Sequence, residues 1–309
     1  MSAAALPRIA SLDAARGLAV VAMVAFHLIW DLGNFGYIDQ GIPYSAGIKL
    51  FGHATAVAFL GISGISLVLA HKRGERWRRF WRRFLIVTGA AGLVTLGTYL
   101  AFPQAFVFFG ILHCIALASV LAAPLLLAPW PVSLFAAFFT SLAPLWFRQP
   151  LFDAPWLSWV GLSTIEPLTY DYRPLAPWAG ALFAGVAAAQ FWHARALPAL
   201  GANWGGGPLY WLGRHSLPIY LLHQPALFAV FNLLAFAGAA PVLSGAGDFV
   251  DACVERCEKG GGATAICRET CACTAEQATR DETLLAIKDA SERTRRINEI
   301  ALECLAQSR

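Results

Sequence analysis

The chain has 309 residues, 58% of them hydrophobic and 14% charged, with a mean hydropathy of +0.57 and a formal net charge of +4. Soluble domains carry about 25% charged residues, so most of this chain must meet lipid or a buried interior rather than water. The charges are unevenly divided: residues 248–309 hold 12 acids and 9 bases, which leaves 7 acids and 14 bases for residues 1–247. A sparse, basic membrane region (1–245) therefore precedes a charge-rich extramembrane tail (246–309), with the boundary near Gly245–Gly247.

A membrane-crossing helix needs about 20 predominantly apolar residues, because hydrocarbon offers unpaired backbone groups no water. Seven segments qualify, in chain order Ala14–Asp31, Gly47–Ala70, Trp81–Phe102, Phe106–Leu127, Pro131–Phe147, Pro174–Trp192 and Ser216–Gly238. The expected fold is thus all-α, a polytopic bundle of about seven spans. The first apolar stretch is too long for a signal-peptide core and lacks a small-residue cleavage site, so it reads as a retained span. Trp156–Ser163 is apolar but too brief to cross, which fits an interfacial or re-entrant segment. Several of the eleven tryptophans (Trp30, Trp81, Trp130, Trp146, Trp178, Trp192) fall at span ends, as in interfacial aromatic belts.

Residues 71–83 carry seven lysines and arginines against one glutamate, and short loops this basic remain cytoplasmic. Seven spans then place the N-terminus inside and the tail outside, as in an inner-membrane-type protein. The tail holds six of the seven cysteines: Cys253, Cys257, Cys267, Cys271, Cys273 and Cys304. Two Cys-x3-Cys pairs each put both thiols on one helical face, with Gly260–Gly262 as a turn between them. An antiparallel hairpin could join Cys253 to Cys271 and Cys257 to Cys267, leaving Cys273 for Cys304 on a third helix around Glu282–Leu305. Six cysteines formally allow 15 pairings. An oxidising compartment favours disulfides; a metal site is the weaker alternative, since x3 is not the usual knuckle spacing and the tail has no histidine.

Ionisable side chains inside spans are costly, so each is a site candidate. The first span offers Asp13, Arg16, His27 and Asp31. Eleven residues separate Arg16 from His27, about 16 Å along a helix, which places the imidazole near mid-membrane. Asp31 lies one turn further on the same face, where a carboxylate can orient the ring as a general base; mutual satisfaction and helix pinning is the structural alternative. His113 on the fourth span, His53 on the second, and Tyr220, His223 and Gln224 on the seventh are further pocket candidates. Ser63 and Ser66 read as packing residues, and Cys114 as a small buried apolar group. The basic segment is a topology determinant, or a landing site for a phosphorylated co-substrate. No P-loop, dinucleotide fingerprint, zinc-helix motif or nucleic-acid module is present.

Arg8-x4-Asp13-x2-Arg16-Gly17-Leu18-Ala19, with Met23, His27 and Trp30-Asp31, resembles the opening span of the heparan-alpha-glucosaminide N-acetyltransferase catalytic-domain family. Phe109–His113, Asp171–Trp178 and Gly213–Pro225 are similar to later blocks of its bacterial members, in the same order; the tail is not covered. The resemblance implies acyl transfer from cytosolic acyl-CoA to an amino sugar or glycan hydroxyl on the far side. On that basis His27 is expected to serve as base or acyl carrier, oriented by Asp31. Arg8, Arg16 and Arg214 are expected to hold CoA phosphates. Acyl-CoA is then a co-substrate, with no tightly bound cofactor, metal or nucleic acid expected. The competing readings are a transporter or flippase of an amphiphile, with histidines relaying protons, and an interaction protein whose tail is the binding element.

Overall fold

In the computed structural model, the described residues are 10–39, 41–71, 76–195, 207–237, 250–251, 253–255, 257–258, 262–281, 284 and 290–307. Arg8, residues 72–75 of the basic segment and Gly245–Gly247 lie outside them. The observed architecture is the expected all-α membrane bundle with a cysteine-rich helical tail. Its helices are α1 (Ala10–Asn34), α2 (Ala46–His71), α3 (Arg76–Ala101), α4 (Ile111–Leu121), α5 (Trp130–Phe147), α6 (Leu175–Ala194), α7 (Pro208–Arg214) and α8 (Ser216–Phe236). Six of these, α1, α2, α3, α5, α6 and α8, are long and apolar enough to cross a membrane. Large apolar side chains such as Leu50, Leu85, Leu93, Leu100, Phe135 and Leu145 stand exposed on them, as lipid-facing residues do.

The fourth expected span is corrected. Over residues 106–127 the α-helix has only 11 residues, Ile111–Leu121, about 16 Å of rise. At its start, Asp171 Oδ2 accepts the Ile111 N–H at 3.0 Å, so the helix is capped there. The preceding strand of chain is tied to the loop before α6, with Thr169 Oγ1 donating to Phe106 O (2.8 Å) and Arg173 N–H to Phe109 O (3.1 Å). At its end Pro124 has no N–H to continue the ladder, and a 3₁₀ turn, Pro124–Leu127, follows. The segment nevertheless runs the length of α6. Cys114 Sγ meets Pro174 O at one end, and Gln190 Nε2 donates to Leu125 O (2.7 Å) and Ala128 O (3.1 Å) at the other.

Small residues let these helices approach. A Cβ on Gly64 would overlap the Leu182 carbonyl, one on Gly185 the Gly61 carbonyl, and one on Gly180 would meet Ser141 and Ala137. With no hydrophobic drive between helices in lipid, such close backbone contact supplies the packing energy. Leu60, Leu67, Cys114, Ala118, Ala179, Leu182 and Val186 fill the buried centre. The same device joins α1 to α7: a Cβ on Gly17 would overlap Leu209 O, and one on Gly213 would overlap Asp13 O. Two of the sequence blocks therefore meet backbone to backbone.

Trp156–Ser163 lies in a loop with two 3₁₀ turns, Pro150–Asp153 and Ser158–Val160. Asp153 organises it, accepting from Ser163 Oγ (2.7 Å), Thr164 N–H (2.7 Å) and Thr164 Oγ1 (2.7 Å). Those donors lower its carboxyl to about 2. Gly161 closes the second turn in the left-handed region at φ +89°, where a side chain would be strained.

The chain divides into two compact units, residues 1–33 with 40–232, and 34–39 with 233–309. Within the second, helical residues among 250–258 are followed by α9 (Thr264–Arg280) and α10 (Ala290–Gln307). Cys253–Cys271, Cys257–Cys267 and Cys273–Cys304 are disulfide-bonded, one of the fifteen formal pairings and the one that an antiparallel hairpin allows. Gly262 sits against the Cys257–Cys267 sulfurs, leaving no room for a Cβ. Leu284, Ile300 and Cys304 form a small core, and Arg296 bonds Asp281 at 3.1 Å. So small a core needs covalent help.

Candidate functional site

The first and last long helices of the membrane unit bring four of the expected residues together. His223 and Gln224, consecutive on α8, face His27 and Asp31, one turn apart on α1. His223 Nε2 lies 3.2 Å from His27 Nδ1, with ring centroids 4.8 Å apart. His223 Nδ1 lies 2.7 Å from Tyr220 O, and His27 Nδ1 lies 3.0 Å from Met23 O.

These contacts fix the tautomers of a neutral pair. A carbonyl oxygen only accepts, so His223 must carry its proton on Nδ1, which leaves Nε2 as an acceptor. His27 must then carry its proton on Nδ1, shared between Met23 O and His223 Nε2. The lone pair of His27 is thereby placed on Nε2, which takes no hydrogen bond from a described residue. A neutral imidazole with its basic nitrogen uncommitted has the form of a general base.

Asp31 does not orient His27, contrary to the spacing argument. Its carboxylate, buried at 5% exposure, takes both hydrogen bonds from Gln224 Nε2, at 2.9 Å and 3.2 Å. That fixes the amide orientation too, since only its nitrogen can donate. Gln224 Oε1 and the nearby Trp30 Nε1 are left buried without a described partner. The α-helical i,i+4 relation was correct as geometry; the histidine's partner came from another helix.

The remaining candidates divide. His113 has both nitrogens committed: Nδ1 accepts the Gly110 N–H (3.2 Å), and Nε2–H donates to Thr95 Oγ1 (3.1 Å), whose own hydroxyl donates to Val107 O (2.7 Å). It pins α3 to the start of α4 and has no lone pair free for chemistry. Tyr220 packs between the α2–α6 core and the Ala90–Ala91–Leu112 cluster, with its ring 5.8 Å from His223. His53 is exposed and its ring lies 5.3 Å from Trp178. The Arg173 guanidinium covers the same indole at 4.7 Å. Arg214 is exposed, 5.7 Å over Tyr210, and is not among the residues around His27.

Asp171 and Arg173 have no role assigned by sequence reasoning, yet they are central. The charge of Asp171 is felt at His27, His113 and Tyr220, and that of Arg173 at His27, His53 and Tyr220. The loop holding them is anchored by the Asp171 cap on α4 and by Tyr172 Oη donating to Ser158 O at 2.6 Å. Burial raises the Tyr172 phenol above its ordinary value. The available signal was the charged pair itself, set immediately before Pro174 at a span entrance.

At the other end of α1, Arg16 Nη1 bonds Asp13 Oδ1 at 2.6 Å and Arg16 Nη2 donates to Ser66 Oγ at 2.8 Å. Ser66 is thus a hydrogen-bond partner of the arginine as well as a packing residue. No group of three or more potential metal ligands occurs among the described residues.

No curated protein and no solved structure matches the chain. The family model described as heparan-alpha-glucosaminide N-acetyltransferase, catalytic, matches residues 8–225, a stretch that contains the His27–His223 pair, Asp31, Gln224, Asp171, Arg173 and Arg16. The chain belongs to that family of membrane acetyltransferases.

Proposed function

We propose that this protein transfers an acetyl or related acyl group from acyl-CoA to a sugar or glycan hydroxyl or amine. The observation that carries the reading is the His27–His223 pair, whose contacts leave His27 Nε2 unprotonated inside a membrane helix. The acceptor O–H or N–H gives its proton to His27 Nε2 as its heteroatom bonds the thioester carbonyl carbon. The C–S bond then breaks and the thiolate leaves with the proton that His27 returns. As the proton arrives, His223 Nε2 accepts a hydrogen bond from a now cationic donor, which spreads the charge over two rings. Arg173 supplies positive charge for the carbonyl oxygen in the tetrahedral stage. Asp31 and Gln224 form a polar wall beside the base.

The same proposal places the protein in a bacterial cytoplasmic membrane as a multi-pass protein, with the 71–83 segment cytoplasmic and the tail periplasmic. The basic segment and the three disulfides support that orientation. Counting the 111–128 segment, which runs beside α6, as a crossing gives the odd number it requires. The division into a catalytic region, 1–245, and an added tail, 246–309, belongs to this reading as well.

Proteoliposomes loaded with acetyl-labelled CoA and supplied with outside glycan acceptors provide the test. Label on the acceptor, abolished by His27→Ala, is the expected result. Label that stays on CoA while an amphiphile crosses would identify a transporter instead.

A further inference from the structure

Two buried side-chain polar atoms have no hydrogen-bond partner among the described residues, Nε1 of Trp30 and Oε1 of Gln224. The first can only donate and the second can only accept. Both flank one carboxylate: Trp30 precedes Asp31 on α1, and Gln224 is bonded to Asp31 from α8. A run of rings leads from the base to the surface on the same helix end. The Phe26 ring lies 5.4 Å from that of His27 and 6.3 Å from that of Trp30, and Trp30 lies 4.8 Å from Tyr44, which is exposed. Phe26 is itself closely held, since a Cβ on Gly52 would overlap its ring. Buried polar groups left unpaired are costly and rare. A donor and an acceptor left open beside one carboxylate, next to the proposed base, call for a ligand that satisfies both.

Charge and hydrogen-bond sense say which ligand. An anion only accepts, so it would pair with Trp30 but face the Asp31 carboxylate and the Gln224 oxygen. An ammonium only donates, and would leave the Trp30 N–H unpaired. A hydroxyl does both, and a sugar ring adds apolar C–H faces suited to an aromatic lining with few polar groups. We infer that Trp30 Nε1 and Gln224 Oε1 bind hydroxyls of the acceptor that do not react, and so select a saccharide over a simple alcohol or amine. The reacting group goes to His27, three residues before Trp30 on α1. Asp31 is then a positioning residue: by taking both bonds from Gln224 Nε2 it fixes the amide so that Oε1 is the atom left to accept. The inference rests on the acyltransfer reading for what reacts, whereas the hydroxyl subsite rests on the two open polar atoms.

The test uses the full-length chain purified in detergent, with isotope-labelled tryptophan indoles, and compares wild type with Trp30→Phe by nuclear magnetic resonance and calorimetric titration. The Trp30 indole N–H resonance is the one that the substitution removes. The probes are methyl glucoside and its monodeoxy analogues. In wild type, methyl glucoside is expected to move that resonance, and the analogue lacking the hydroxyl that meets Trp30 is expected not to. Trp30→Phe should bind methyl glucoside roughly 3- to 10-fold more weakly, the worth of one neutral hydrogen bond, and should bind that analogue as wild type does. Its ligand-free Tm should change little, because the deleted N–H has no described partner. Equal weakening toward every analogue, with a lowered Tm, would mean that the ring only packs and would overturn the site. A Trp30 resonance unmoved at saturating methyl glucoside assigns Nε1 to an ordered water only, and that result, or a wild type that binds no glycoside, also overturns it. Glycoside binding through Trp30 without acyl transfer leaves the subsite standing and removes the proposed reaction. Acetyl transfer to methyl glucoside that Trp30→Phe leaves unchanged keeps the reaction and removes the subsite.

Discussion

Replacing His223 by Phe keeps an aromatic ring beside His27 but deletes the acceptor that lies 3.2 Å from His27 Nδ1. The bond matters most when His27 becomes an imidazolium, because its donor is then charged. Hydrogen bonds to charged groups are worth about 1.5–3 kcal/mol, and each 1.4 kcal/mol is about tenfold in rate, so kcat should fall roughly 10- to 150-fold. His27 keeps its bond to Met23 O, so its tautomer survives and the loss should stop short of complete inactivation. Acyl-CoA KM should not change, since His223 acts through His27. His223→Gln offers an amide oxygen in place of Nε2 and should recover part of kcat. The assay is single-turnover transfer of labelled acetyl from acetyl-CoA to a glycan acceptor by detergent-purified protein. A His223→Phe enzyme within twofold of wild type, or a defect confined to KM, would refute the relay.

Three other outcomes follow from the same structure. Gly213→Ala must drive a Cβ against the Asp13 carbonyl; overpacking of this kind costs about 1–3 kcal/mol, so Tm in detergent should drop, and Gly207→Ala, where a Cβ meets open space, should leave it unchanged. Serine replacement at Cys273 and Cys304, which closes a loop with a sequence separation of 31, should destabilise the tail by about 3–4 kcal/mol, against nearer 2.5–3 kcal/mol for the 10-residue separation of Cys257–Cys267; circular dichroism melts would show the order. Asp153 has a folded-state pKa lowered from 3.8 to about 2, so its ordering of residues 163–165 is fully present above about pH 4 and is lost as pH falls through about 2. Amide protection at Thr164 and Ile165 should follow that step, and Asp153→Asn should abolish it.

Much of the fold was legible because hydrocarbon imposes simple rules. Span length and the absence of charge located six long helices to within a few residues at most ends, and six cysteines in a small segment pointed to disulfides while leaving their pairing open. The fourth span escaped because hydropathy does not register Pro124 as a terminator, nor Asp171 as a cap sixty residues away. In the candidate site, local spacing found His27 and Asp31 but paired them with each other. Their partners, His223 and Gln224, lie almost two hundred residues on, and no rule of helical periodicity selects them. His113, expected as a pocket residue, has both nitrogens engaged by Thr95 and Gly110, contacts that no spacing rule reveals.

The central claim is that His27 Nε2 takes the acceptor's proton. Its most direct measurement is single-turnover acetyl transfer by His27→Ala at saturating acetyl-CoA, with coenzyme A binding followed in the same preparation. Loss of a positioned base should slow transfer by about 10²- to 10⁴-fold while coenzyme A affinity stays at the wild-type value. Transfer at the wild-type rate by a correctly folded His27→Ala protein would contradict the account.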